Sequence, residues 1–152
     1  MALAVIDRIT RRSNKIATGK DSRIKPGEPV RFSEAASVND AHRQGDLYLV
    51  VIESIPKGYV MVADPTVRDR QLVPGNTQGS RHCLDSMDGV QLHRPSAWPD
   101  SGLIGPVLVL TKERTVLHPT HGSVTIPAGM TIGCMYQREW DAEQKRERRN
   151  AD

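Results

Sequence analysis

Apolar residues along this chain come in short bursts separated by turn-forming residues, and no stretch sustains a 3.6-residue period. The strongest burst, 46–53, predicts a strand of the buried type. After a turn at Pro56-Lys57-Gly58, residues 59–62 read as a second strand. Residues 70–73 and 81–84 read as further short strands, the first ended by Pro74-Gly75-Asn76. Asp88-Gly89 is a strong turn signal before 90–93, where apolar and polar residues alternate. A loop containing proline and Trp98 over 94–105 leads to a second buried strand at 106–111. Residues 115–118 and 123–126 flank a turn at Pro119-Thr120-His121-Gly122, and Pro127-Ala128-Gly129 turns into a last strand at 130–136.

Eight or nine short strands with tight turns predict a mainly β fold, a small β-sandwich or barrel-like domain. The expected core includes Leu47, Leu49, Val51, Val107, Val109, Ile126 and Ile132. The expected layout is an extended basic arm and linker over 1–43, a β domain over 44–138, and a charged helix or tail over 139–152. The tail, rich in Glu, Lys and Arg, has high helix propensity but only Trp140 and Ala142 to anchor it.

Composition sharpens this picture. The chain has 152 residues, 12 Gly and 10 Pro, and is only 38% hydrophobic, which favours turns over long helices. No apolar run approaches the ~18 residues of a membrane helix, and the N-terminus lacks the apolar core of a signal peptide. Two cysteines, Cys83 and Cys134, are too few for a disulfide scaffold or a four-thiolate zinc site, and both sit in apolar contexts as small core residues would.

Charge is concentrated. Residues 1–31 hold eight Lys or Arg against three acids, a net +5 in a chain whose total is +3. The arm has no aromatic residue, which argues against nucleic acid as its partner. Its apolar stubs Val5, Ile6 and Ile9, interleaved with Arg8, Arg11, Arg12 and Lys15, suit a segment laid along a protein surface.

Candidate chemistry rests on histidine. His118 and His121 sit in Leu117-His118-Pro119-Thr120-His121-Gly122, and His82 follows Gly79-Ser80-Arg81. Three imidazoles from two hairpins could form a metal site of the cupin-like kind, but the adjacent Cys83 reads as a small core residue and no clear further ligand joins them, so the expectation is no metal and no cofactor. There is no Walker-type phosphate loop and no nucleophile elbow, so no catalytic residue is assigned.

From Gln44 onward the chain resembles an uncharacterised bacterial and phage family. The resemblance is carried by Gln44-Gly45-Asp46, by 75–82, by His118-Pro119-Thr120-His121-Gly122, by Ile126-Pro127-Ala128-Gly129 and by Gln137-Arg138-Glu139-Trp140. Where the family pattern has the first histidine of a pair, this chain has Ser80, while His82 remains. The resemblance implies a fold and a context and no established activity. Together with the basic arm, it leads to the expectation of a non-enzymatic phage virion protein of the decoration or cement type. Such a protein would be assembled in the host cytoplasm and held on the capsid surface by its arm, with the major capsid protein and copies of itself as partners and no membrane. The alternatives are a small-ligand or metal-binding, enzyme-like domain using His82, His118 and His121, and a phage anti-defence binding protein.

Overall fold

The computed structural model describes residues 27–74, 81–98, 104–141 and 146–149. Twelve strands follow in chain order: β1 (Val30–Arg31), β2 (Ala41–Gln44), β3 (Leu47–Val51), β4 (Tyr59–Met61), β5 (Cys83–Leu84), β6 (Val90–Pro95), β7 (Ile104–Leu110), β8 (Arg114–Leu117), β9 (Val124–Ile126), β10 (Thr131–Tyr136), β11 (Arg138–Asp141) and β12 (Arg146–Arg149). Six strands form one sheet in the order β2-β3-β10-β7-β6-β4, and four form a second in the order β1-β9-β8-β5. Neither sheet closes on itself, so the expected mainly β fold takes the sandwich form.

Period-two alternation explains the packing. Leu47, Leu49 and Val51 of β3, Leu108 and Leu110 of β7, and Ile132, Cys134 and Tyr136 of β10 enter one apolar cluster with Leu84, Val116, Val124 and Ile126 of the smaller sheet. The alternate residues of β3, Tyr48 and Val50, join Ala41 in a second cluster. β3 is therefore buried on both faces, as its unbroken apolar run requires. Val109, expected in the core, is only half-buried: it points to the face opposite Leu108 and Leu110, the face on which Val107 is buried.

Three expectations are corrected. Residues 30–43, read as arm and linker, belong to the body. β1 runs parallel to β9, β2 pairs antiparallel with β3, and Phe32 lies in the main core at 2% exposure. Residues 70–73 are not a strand: a 3-10 turn spans Val67–Arg70, and only Gln71 makes an isolated bridge, to Cys83. Asp69 shapes that turn by accepting from the Thr66 backbone N–H (2.6 Å) and hydroxyl (3.0 Å). Finally, the charged C-terminal segment is a hairpin and not a helix, with β11 antiparallel to β12. Its register sets Glu139 opposite Arg148 and Asp141 opposite Arg146. Helix propensity without an apolar face is a weak force that strand pairing overrides. The arm residues Val5, Ile6, Arg8, Ile9, Arg11, Arg12 and Lys15 lie outside the described residues.

Among the described residues no helix is long and apolar enough to cross a membrane. Both cysteines are free thiols: Cys134 is buried, and Cys83 is half-buried. Burial pushes the Cys134 thiol up to about 12, so it stays protonated and behaves as a core residue.

Candidate functional site: a histidine cluster at the sandwich rim

The β2–β3 turn is the foundation of the site. Gln44 ends β2, Gly45 turns the chain with φ of +57°, and Asp46 precedes β3. Glycine is required here twice over. The left-handed conformation disfavours any side chain, and a Cβ at Gly45 would lie 2.5 Å from the His121 ring. Both polar neighbours point inward, with Gln44 and Asp46 each 2% exposed.

His82 arrives just before β5 and is 1% exposed. Its backbone carbonyl accepts from the Leu72 N–H at 2.7 Å, which fixes its segment against the 71–73 stretch. Its Nδ1 lies 2.8 Å from Gln44 Oε1, and its Nε2 lies 3.0 Å from Asp46 Oδ1. The Gln44 amide nitrogen donates to the carbonyls of Val116 (3.0 Å) and Gly122 (2.8 Å). Both amide hydrogens are thereby used, so the atom facing His82 is the oxygen, and Nδ1 must carry the proton that reaches it. The imidazole is clamped between an amide oxygen and a carboxylate. This clamp ties together the β2–β3 turn, the segment before β5, and the β8–β9 connection. Burying a carboxylate is tolerable only with such a partner.

His118 and His121 occupy the β8–β9 connection, and both are half-buried. His118 Nδ1 accepts from the backbone N–H of Thr120 (3.1 Å) and of His121 (3.0 Å), so the imidazole caps its own turn. That role requires a bare Nδ1 and places the ring proton on Nε2. Gly122 then passes against the backbone of Glu28, where any Cβ would collide, and the Val30 N–H donates to the Ser123 carbonyl at 2.8 Å. The His-Gly pair is thus where the start of the body crosses the hairpin.

The three rings converge. The His82 and His118 centroids are 4.3 Å apart, those of His118 and His121 also 4.3 Å, and those of His82 and His121 6.2 Å. The structure therefore unites the three histidines singled out in the sequence, but gives them different tasks. His82 has both nitrogens engaged within the protein, and His118 commits Nδ1 to its turn. A metal would need bare nitrogens aimed at one point. Among the described residues no group of three or more His, Cys, Asp or Glu is placed to hold one. Ser80 lies outside the described residues.

Sequence reading missed Asp46 and Gln44 as site residues, although their tripeptide carried part of the resemblance. The available signal was a carboxylate and an amide flanking a turn glycine at the mouth of the most apolar strand, where solvation is lost. The other two histidines stand apart: His42 packs edge-on against Phe32 with centroids 4.4 Å apart, and His93 is buried on β6.

No curated protein and no solved structure matches the chain. A family model matches residues 43–132, which takes in the Gln-Gly-Asp turn, His82 and the His-Gly connection but stops short of the closing hairpin. With more than half of its length matched, the chain belongs to the family described as a domain of unknown function (DUF8820).

Proposed function

We propose that this chain is a small-ligand-binding β-sandwich module whose site is the histidine rim, with a compact oxyanion such as phosphate or a carboxylate as its ligand. The observation that carries the reading is the layered arrangement of the rings: a fully buried His82 clamped to Asp46, and two half-exposed imidazoles stacked outward from it. A buried carboxylate set against an imidazole is an expensive way to build a rim in a small domain, and buried polar pairs need such close positioning. A half-exposed imidazole can donate a ring N–H to an oxyanion oxygen, which suits such a ligand. In this scheme His121 and His118 meet the ligand and His82 positions them. Equilibrium dialysis with radiolabelled inorganic phosphate tests it. Saturable binding that weakens about ten-fold in His121→Ala supports the reading. Binding that is absent, or unchanged by the substitution, overturns it.

A second reading is attachment to a larger assembly, a virion shell being the form expected from the arm. It is favoured by the sheet edge at β4, where Val60 and Met61 are 56% and 58% exposed. Exposed apolar edge strands are rare unless something covers them. Deletion of residues 1–26, which leaves β1 intact, should preserve folding and abolish co-sedimentation with capsid shells. Full co-sedimentation of the truncated chain contradicts that reading.

A further inference from the structure

A second concave site lies away from the histidines. A cavity of about 390 Å³ opens beside the 3-10 turn, within the ~300–1,000 Å³ range of small-molecule clefts. Leu72, Pro106 and Tyr136 are among its apolar lining, and Arg68, Gln71, Arg94 and Trp98 also line it.

Each of these groups is unusual for a plain surface dent. Trp98 is one of only six aromatic residues in the chain, yet it is 52% exposed beside an apolar floor. An indole left half in water at a cavity mouth is a stacking platform for a flat ring. Arg94 projects from β6 and is held by Asp69, with Nη2 2.5 Å from Oδ1. Asp69 is itself fixed by the Thr66 backbone N–H, which with Arg94 keeps its carboxyl below the usual carboxylate range. Arg94 is thus preorganised, so less side-chain entropy is lost when a ligand meets it. Arg68 stands on the same 3-10 turn, is exposed, and has no ion-pair partner among the described residues. Among the described residues the lining has two guanidinium groups and no carboxylate. The Tyr136 hydroxyl is already used, donating to the Leu72 carbonyl at 2.6 Å, so the floor offers shape and apolar area more than polar readout.

We propose that this cavity binds a planar ring carrying an anionic group, the chemistry of a mononucleotide, with Trp98 on the ring and Arg68 and Arg94 on the anion. Apolar floor, aromatic wall and paired guanidinium groups match the two halves of such a ligand, and neither half alone uses the whole site. This inference stands independently of the histidine rim, because the two sites share no residue.

The experiment uses the full chain with Trp140→Phe, which leaves Trp98 as the only tryptophan. Its fluorescence is titrated with AMP, adenosine, phenyl phosphate and inorganic phosphate. The expected result is saturable quenching by AMP or phenyl phosphate, with adenosine and inorganic phosphate each at least about ten-fold weaker. Arg68→Gln, an exposed substitution that leaves the Asp69–Arg94 pair in place, should weaken AMP binding about ten-fold while circular dichroism is unchanged. Two results overturn the proposal. One is no saturable quenching by either ring-bearing phosphate up to about 10 mM. The other is equal quenching by adenosine, or AMP affinity undiminished in Arg68→Gln. A response of the imidazoles to phosphate with none at Trp98 separates failure here from failure of the histidine reading.

Discussion

The apolar centre of the sandwich and its histidine rim are built on opposite principles. In the centre, Leu49, Leu108 and Ile132 are completely buried and contribute through area and fit, so residues of similar volume can exchange at modest cost. At the rim, Gln44, Asp46 and His82 are equally buried, but their polar atoms face specific groups: an amide oxygen beside Nδ1, a carboxylate oxygen 3.0 Å from Nε2, and two carbonyls that accept from the amide nitrogen. The centre tolerates change of shape poorly and change of identity well. The rim tolerates neither, because removing one partner strands another in a place water cannot reach. The comparison teaches that burial alone does not define a role in this domain; the number of groups stranded by a deletion does.

The largest expected effect follows directly. Asp46→Ala should cost ~3–5 kcal/mol, as removing one partner of a buried carboxylate–imidazole pair strands the other. Leu108→Ala, which removes far more apolar surface, should cost a similar ~2–5 kcal/mol. Urea unfolding checks both, and an Asp46→Ala cost under ~1 kcal/mol would show that the pair is not a clamp.

A smaller effect comes from β2, where the two regions meet. Burial holds His42 below the usual imidazole range, against the opposing pull of the Arg31 backbone and the Asp40 charge. A depressed value means the folded state favours the neutral ring. Its contribution is therefore present above the ordinary imidazole pKa near 6.5 and is lost as pH falls toward the lower folded value. The urea midpoint should fall between pH 7 and pH 5, and His42→Leu should flatten that slope. An unchanged slope in the variant would assign the acid sensitivity to the rim instead.

The smallest effect on stability is expected at His121. Its half-exposed ring packs on Gly45, and no carbonyl, amide or carboxylate is assigned to its nitrogens, so His121→Ala should cost less than ~1 kcal/mol. A cost comparable to that of Asp46→Ala would make His121 part of the clamp and erase the distinction between positioning and contact residues.

Much of the fold was legible because alternation and turn chemistry act locally. The strands at 47–51, 90–95, 104–110 and 131–136 fall where apolar alternation or unbroken apolar runs lie between glycine and proline turns. The failures share one cause, tertiary context. β1 and β2 look like linker because their sequences are largely polar; Phe32 and Ala41 are buried in the apolar clusters and Val30 packs against the main one, but a lone Phe after a Pro-Gly-Glu-Pro segment gives no period to read. Leu72-Val73 looked like a strand because both residues are apolar, yet both are buried side by side without alternation. The C-terminal hairpin has a helix's composition, and the pairing of β11 with β12 overrides that propensity. At the site, histidine is conspicuous in any sequence, so His82, His118 and His121 could be selected. Asp46 and Gln44 are ordinary residues until the turn at Gly45 brings them beneath His82, and no spacing rule links residues 36 or more positions apart.

The division of labour at the rim is the central claim, and imidazole 15N correlation spectra of the labelled chain, recorded with and without inorganic phosphate, test it most directly. The account predicts that His82 shows a protonated Nδ1 and keeps its ring signals on phosphate addition, while the signals of His121 and His118 move. Movement of His82 with bare Nδ1, or a His121 ring indifferent to phosphate, would contradict it.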